Sequence, residues 1–288
     1  MKNLSQQIKK VENKWQNILY RFCLEKFKQV NIPSHDHLHH YRVWLFARKL
    51  FHELQEQKIK INDNDIEKAI IAIFFHDIGL TFNPDQNHGK KSREICELFI
   101  KENKEKNIIG QGEILDAIDK HDDKKYKGIT YRKEFNISVL STLSICDDLD
   151  AFGYIGVLRY AEIYIIRNIP VINLAKNVLK NLESRYANFI SICSGLDEFL
   201  TEQTKRYYLT KDFYNNLEDH LKYNKYSPDI IYGPTGVINY FIKYVINKNL
   251  PLLKMADHVL TLSRDKYIYR FFSLLKEEIE SFNYPDLI

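Results

Sequence analysis

The chain has 288 residues, 44% of them hydrophobic and 28% charged, the balance of an ordinary globular protein with enough apolar side chains for a substantial core. A formal net charge of +4, spread along the chain, does not indicate nucleic acid and is compatible with a small anionic substrate. Four scattered cysteines with no CxxC pair indicate neither a disulfide framework nor a thiolate zinc site, and read as reduced, mostly buried thiols.

The N-terminus Met1-Lys2-Asn3-Leu4-Ser5-Gln6-Gln7 lacks an apolar signal region. The longest near-apolar run, Ala69 to Phe75, is far short of the ~20 residues a membrane helix needs, so a cytoplasmic protein without a membrane partner is expected. The dominant period is helical and strand patterns are scarce, which predicts an all-α fold. After Pro33 and Ser34, the residues Val43, Phe46, Ala47, Leu50, Phe51 and Leu54 share one helical face, and His39, four before Val43, lies on it. Ile66, Ile70, Ile73 and Asp77 form a second stripe, with caps available in Asn62 to Asp65 and a stop at Gly79. His88 is in phase with Ser92, Ile95 and Phe99; His121 with Ile114 and Ile118; Asp147 with Leu140 and Leu143. Several helices thus aim a His or Asp inward, as bundles do when they build metal sites. Connections are expected at Asn62 to Asp65, Leu80 to His88, Asp122 to Arg132 and Asn168 to Pro170. The motif-bearing part is assigned to residues 1–183 and a helical extension to 184–288, with Tyr232 to Gly236 as its clearest turn and its many tyrosines read as core.

Phe75-His76-Asp77 at the end of the apolar run is the most demanding feature, because burying an adjacent imidazole and carboxylate is costly without a hydrogen-bond, charge or metal partner. Partners follow in order: His39 in His39-His40-Tyr41-Arg42-Val43, then His121, then Asp147 in Cys146-Asp147-Asp148-Leu149-Asp150-Ala151. Two nitrogen and two oxygen donors suit Mn, Fe, Co, Ni or Zn, with Mg also admissible.

That order resembles the HD superfamily of metal-dependent phosphohydrolases. His39-x-x-Arg42-Val43 looks like its first motif, His76-Asp77-Ile78-Gly79 like its second, and Asp147 to Ala151, followed by Gly153, Gly156 and Arg159, like its last. The resemblance implies an HD-type helical bundle in which His39, His76, Asp77 and Asp147 hold a divalent metal. Members with two ions add histidines between the pair and the last Asp. His88 and His121 stand there, either as ligands to a second ion with Asp77 bridging, or as a loop cap and a substrate contact. Asp77 and His121 are the candidate catalytic residues, and Arg42, Lys90, Lys91, Lys120 and Arg159 the candidate phosphate contacts. Leu80 stands where the family often has a lysine, which leaves Lys90 or Lys91 to supply that contact. His35 and His37 read as loop residues or as groups bonded to ligands, with His35 the better placed; Asp148 and Asp150 read as capping or orienting groups. The implied reaction is hydrolysis of a phosphate ester or anhydride, of a nucleotide or related compound, by a metal-activated water. An HD-fold di-iron oxygenase and a non-catalytic nucleotide-binding regulator are the alternatives, and a homo-oligomer is compatible with all three.

Overall fold

Every regular element is helical among the residues described by the computed structural model, 3–82, 88–122 and 138–284. Helix α3 (Asp63–Phe75) is apolar nearly all round and is therefore the central one. Around it pack α1 (Leu4–Phe27), α2 (His37–Glu56), α5 (Gln111–Lys120) and α6 (Val139–Asp150), while α4 (His88–Glu102) lies on α5. The starts are set by local chemistry. Asp36 accepts from the backbone N–H of Leu38 and His39 at the head of α2, and Asn62 forms a reciprocal capping box with Asp65 at the head of α3. The segment Asn62 to Asp65 is thus mostly the first turn of α3 rather than a connection. Asp122 to Arg132 lies almost wholly outside the described residues. Asn168 to Pro170 does connect α7 (Gly153–Ile166) to α8 (Val171–Cys193).

The remaining helices are α9 (Asp197–Tyr223), α10 (Gly233–Phe241), α11 (Leu252–Leu262) and α12 (Lys266–Ser281). The boundary expected at 183/184 falls inside α8, which runs through it unbroken. Buried hydrophobic residues from α1 to α12 form one continuous cluster, so the C-terminal helices complete the same core. No helix among the described residues is long and apolar enough to cross a membrane.

One polar clamp ties the C-terminal helices to the junction between α6 and α7. Arg206 on α9 donates to the carbonyls of Leu149 and Phe152 at 2.8 Å each and to Glu278 on α12 at 2.9 Å. Glu278 in turn accepts from the backbone N–H of Tyr154 at 2.6 Å, capping the start of α7 from outside that helix. Gly153 permits this approach. Its φ is +85°, and a Cβ there would lie 2.4 Å from Glu278 Oε1. The clamp fixes where α6 ends and α7 begins. We expect Glu278→Ala to lower the unfolding free energy by about 1–3 kcal/mol, because Arg206 and the first turn of α7 lose their common partner; urea denaturation followed by circular dichroism measures it.

Candidate metal centre

His39 projects from the first turn of α2, Asp147 from the last turn of α6, and His76 and Asp77 from the point where the chain leaves α3. Asp77 does not continue the α3 stripe. His76 is the C-cap, and the chain then tightens into a 3₁₀ turn over Ile78–Thr81, which swings the two side chains to the helix end. One ligand atom from each of His39, His76, Asp77 and Asp147 lies within 4.8 Å of all the others. His39 Nε2 and His76 Nε2 are 3.1 Å apart, and Asp77 Oδ2 lies 3.5 and 3.4 Å from them. A second group shares Asp77. Its other oxygen, Oδ1, lies 3.1 Å from His88 Nε2 and 3.2 Å from His121 Nε2.

The inward nitrogens are set by what the outward ones do. At the ends of α3 and α5 the same device recurs: His76 Nδ1 donates to the Ile73 carbonyl and His121 Nδ1 to the Ile118 carbonyl, both at 2.7 Å. A carbonyl only accepts, so Nδ1 carries a proton in both rings, and a neutral ring presents its Nε2 lone pair to the centre. His39 Nδ1 pairs with Asp150 Oδ2 at 2.7 Å, which leaves its Nε2 to face His76. Such outward donation is how metal-binding histidines are generally oriented. The Nε2 atoms of His39 and His76, 3.1 Å apart, are acceptors facing each other unless a proton or a cation lies with them, and the donor set therefore fits a divalent ion. His88 reaches the group because α4 begins directly against the 3₁₀ turn. A Cβ on Gly79 would stand 2.0 Å from the His88 carbonyl oxygen.

Buried charge surrounds this centre. Burial alone would raise Asp150, but Arg42 and Arg159 outweigh it and hold the carboxyl well below its usual range. Arg42 binds Asp150 through Nε at 2.8 Å and Nη2 at 2.9 Å. Asp77 and Asp147 are likewise held low against burial, Asp77 chiefly by His76 and Asp147 by His76 and Arg159. Burial lowers His76, yet the carboxylates of Asp77 and Asp147 prevail and push it up to about 10. A proton and a metal cation therefore compete for His76 Nε2.

Above the donors opens a cavity of about 1060 Å³. Asp77, Asp147, His88 and His121 line its floor, whereas His39 and His76 are wholly buried behind them. Arg159, Arg167 and Arg185 form a cationic wall from α7, its C-terminal end and α8, with Tyr160 and Tyr164 beside them. Arg159 Nη2 approaches Asp147 Oδ1 at 3.3 Å, and Arg185 pairs with both Asp147 and Asp148. Lys90 and Lys120 also line the cavity. Two residues expected at the phosphate are placed elsewhere. Arg42 is buried and spent on Asp150, and Lys91 pairs with Glu94 over the Phe82 ring at the surface. Arg185, Tyr160 and Tyr164 were not among the sequence candidates; the polar face of Asn181, Ser184 and Arg185 on α8 was the available signal.

The HD domain family model matches residues 38–151. Those residues form an HD domain. The match takes in all six clustered donors and implies the metal-dependent hydrolase superfamily, while the Arg159–Arg185 wall and the Arg206–Glu278 clamp fall beyond it. No curated protein and no solved structure matches the chain.

Since folded His76 holds its proton up to about 10, metal uptake must release that proton over the whole neutral range. Apparent metal affinity should rise by about tenfold per pH unit between roughly pH 6 and 8 for each proton displaced. Calorimetric titration of the metal-free protein in buffers of differing ionisation enthalpy checks the sign and the proton count; a pH-independent affinity would show that no proton is displaced.

Proposed function

We propose that the protein is a divalent-metal-dependent phosphohydrolase that hydrolyses a phosphate ester or anhydride, of a nucleotide or a nucleotide-like compound. The observation that carries this reading is the pairing of two donor clusters through Asp77 with a wall of arginines across one cavity. His39, His76, Asp77 and Asp147 would hold one divalent ion; Asp77, His88 and His121 would hold a second. When bound, such ions acidify a water and neutralise charge on a phosphoryl oxygen.

The chain's own residues supply the rest. Asp77 sets the separation of the two clusters, because each of its oxygens is committed to a different pair of histidines. Asp77 or a nearby carboxylate would accept a proton from the attacking water, and His121, at the cavity floor, is the imidazole beside Asp77. Arg159 and Arg185 present guanidinium edges suited to phosphate oxygens. Tyr164, Ile163 and Ile169 give the cavity an apolar side against which an organic group can rest. Manganese, iron, cobalt, nickel and zinc all suit the mixed nitrogen and oxygen donors, and magnesium is admissible.

A di-iron oxygenase would use the same His-rich set, and the complete second cluster is the feature that favours it. The arginine wall favours phosphate. A panel of phosphate monoesters, diesters and nucleotides, assayed with each metal added to chelator-treated protein, decides between them. Turnover restored by metal under anaerobic conditions supports hydrolysis; oxygen consumption with iron and no phosphate release contradicts it. Asp77→Ala should abolish metal binding and hydrolysis together while the far-ultraviolet circular dichroism stays helical. Arg185→Ala should raise KM by roughly tenfold with a smaller effect on kcat, reflecting one lost charge-assisted contact.

A further inference from the structure

Burial falls along α7: Arg159 is buried, Ile163 and Tyr164 are half-buried and Arg167, its C-cap, is exposed. All four line the cavity, so the helix runs from the floor at the donor clusters to the mouth. The step from Arg159 to Arg167 is a rise of about 12 Å along a helix. Between the two arginines the wall is apolar. The Tyr164 hydroxyl is spent on α8, accepting from Asn181 Nδ2 at 3.2 Å and donating to the Asn177 carbonyl at 3.4 Å, which leaves the ring surface to the cavity. The Ile169 N–H donates to the Tyr164 carbonyl at 2.9 Å, so the connection after α7 folds back and sets Ile169 beside this strip. Asn181 also accepts from Arg185 Nε at 3.1 Å, and one α8 side chain thus holds both the ring and a guanidinium near the donors. Lys90 and Lys120 add two further cations to the lining. Of the acidic lining residues outside the donor clusters, Asp119 already faces Arg93 at 3.4 Å and Asp122 acts on Arg185. The cavity, about 1060 Å³, is far larger than one phosphoryl group needs.

We infer that the substrate is anionic at both ends, a phosphate ester whose organic part spans the apolar strip and carries a second anionic group to Arg167, a conclusion that rests on the phosphohydrolase reading above. The reacting phosphoryl group lies at the donor clusters beside Arg159 and Arg185, and the organic body covers Ile163, Tyr164 and Ile169. The second group is a phosphate or a carboxylate, since a guanidinium takes the oxygens of either through paired N–H donors. Length is what selects. A compound too short to reach Arg167 gains nothing from it, and a neutral end leaves the guanidinium in water. The strip lies beyond residues 38–151, so the preference belongs to α7 and the connection to α8 rather than to the HD match. An arginine at a helix C-terminus also interacts favourably with the helix dipole, a stability effect independent of any substrate.

The test compares pairs of esters within each protein. Wild type, Arg167→Gln, Arg167→Lys and Arg167→Glu, loaded with manganese, are assayed on biphenyl phosphate and phenyl phosphate, each with and without a carboxylate at the para end distal to the ester, and thermal unfolding is measured on each. In the wild type the carboxylate should lower KM about tenfold on the biphenyl ester and less than about twofold on the shorter phenyl ester. Arg167→Lys should keep part of that advantage, Arg167→Gln should cancel it, and Arg167→Glu should reverse it, so that the uncharged biphenyl ester has the lower KM. A purely dipolar role for Arg167 would lower the unfolding midpoint of the variants and leave the advantage in place, which overturns the inference. Equal KM for the charged and uncharged biphenyl esters in the wild type, or an equal gain on the phenyl ester, overturns it too while hydrolysis stands. Absence of turnover on every ester in the wild type would instead overturn the phosphohydrolase reading and this inference with it.

Discussion

The carboxylate of Asp77 is the point on which the site depends. It is almost fully buried, it lies between two pairs of imidazoles, and each of its oxygens faces one pair. A negative charge at that depth is tolerable only with several partners, and those partners arrive from α2, α3, α4 and α5. Satisfying one side chain therefore specifies how four helices meet. Gly79, two residues later, has no side chain because α4 must begin against it for His88 to reach Asp77. The 3₁₀ turn after α3 is the local consequence, tilting His76 and Asp77 off the helix stripe into the space between the helices.

Around that carboxylate the structure spends a second layer of charge on orientation. Asp150 fixes His39 and is itself fixed by Arg42 and Arg159. Arg159 thus reaches from a wholly buried carboxylate to the cavity side of Asp147, so that the α7 wall and the α2 ligand share one network. Arg206 and Glu278 then fix the α6–α7 junction on which Asp147, Asp150 and Arg159 all stand. The C-terminal helices matter to the site through this junction, and they contribute one core with the HD domain rather than a separate one.

Much of this was legible in the sequence, for physical reasons that also explain the rest. The inward face of His39 could be read from its phase with Val43, and the demand placed by His76-Asp77 from the apolar run before it, because periodicity reports burial directly. The grouping of His88 and His121 with Asp77 could be anticipated from their order along the chain, while the contact itself depends on a close helix approach that sequence phase does not encode. Arg42 looked like a phosphate contact because a motif arginine beside a ligand histidine is compatible with either role. Only the position of Asp150 one turn past Asp147 shows that its guanidinium is used inside the core. Arg185 is harder to place for another reason: the polar face of α8 marks it as a surface residue, but its partner Asp148 lies 37 residues away, and no local pattern announces a pairing at that range. The 183/184 boundary followed where the motifs stop, whereas α8 continues because its apolar face still has core to cover.

The most direct test of the shared-carboxylate centre is anomalous X-ray scattering from crystals of the chelator-treated protein soaked in manganese, paired with metal analysis in solution. A centre bridged by Asp77 should give two peaks per chain, one among His39, His76, Asp77 and Asp147 and one among Asp77, His88 and His121, with two manganese ions per chain in solution. A single ion at saturating manganese, with Asp77 contacting only one histidine pair, or a peak outside both clusters, would rule out a shared carboxylate.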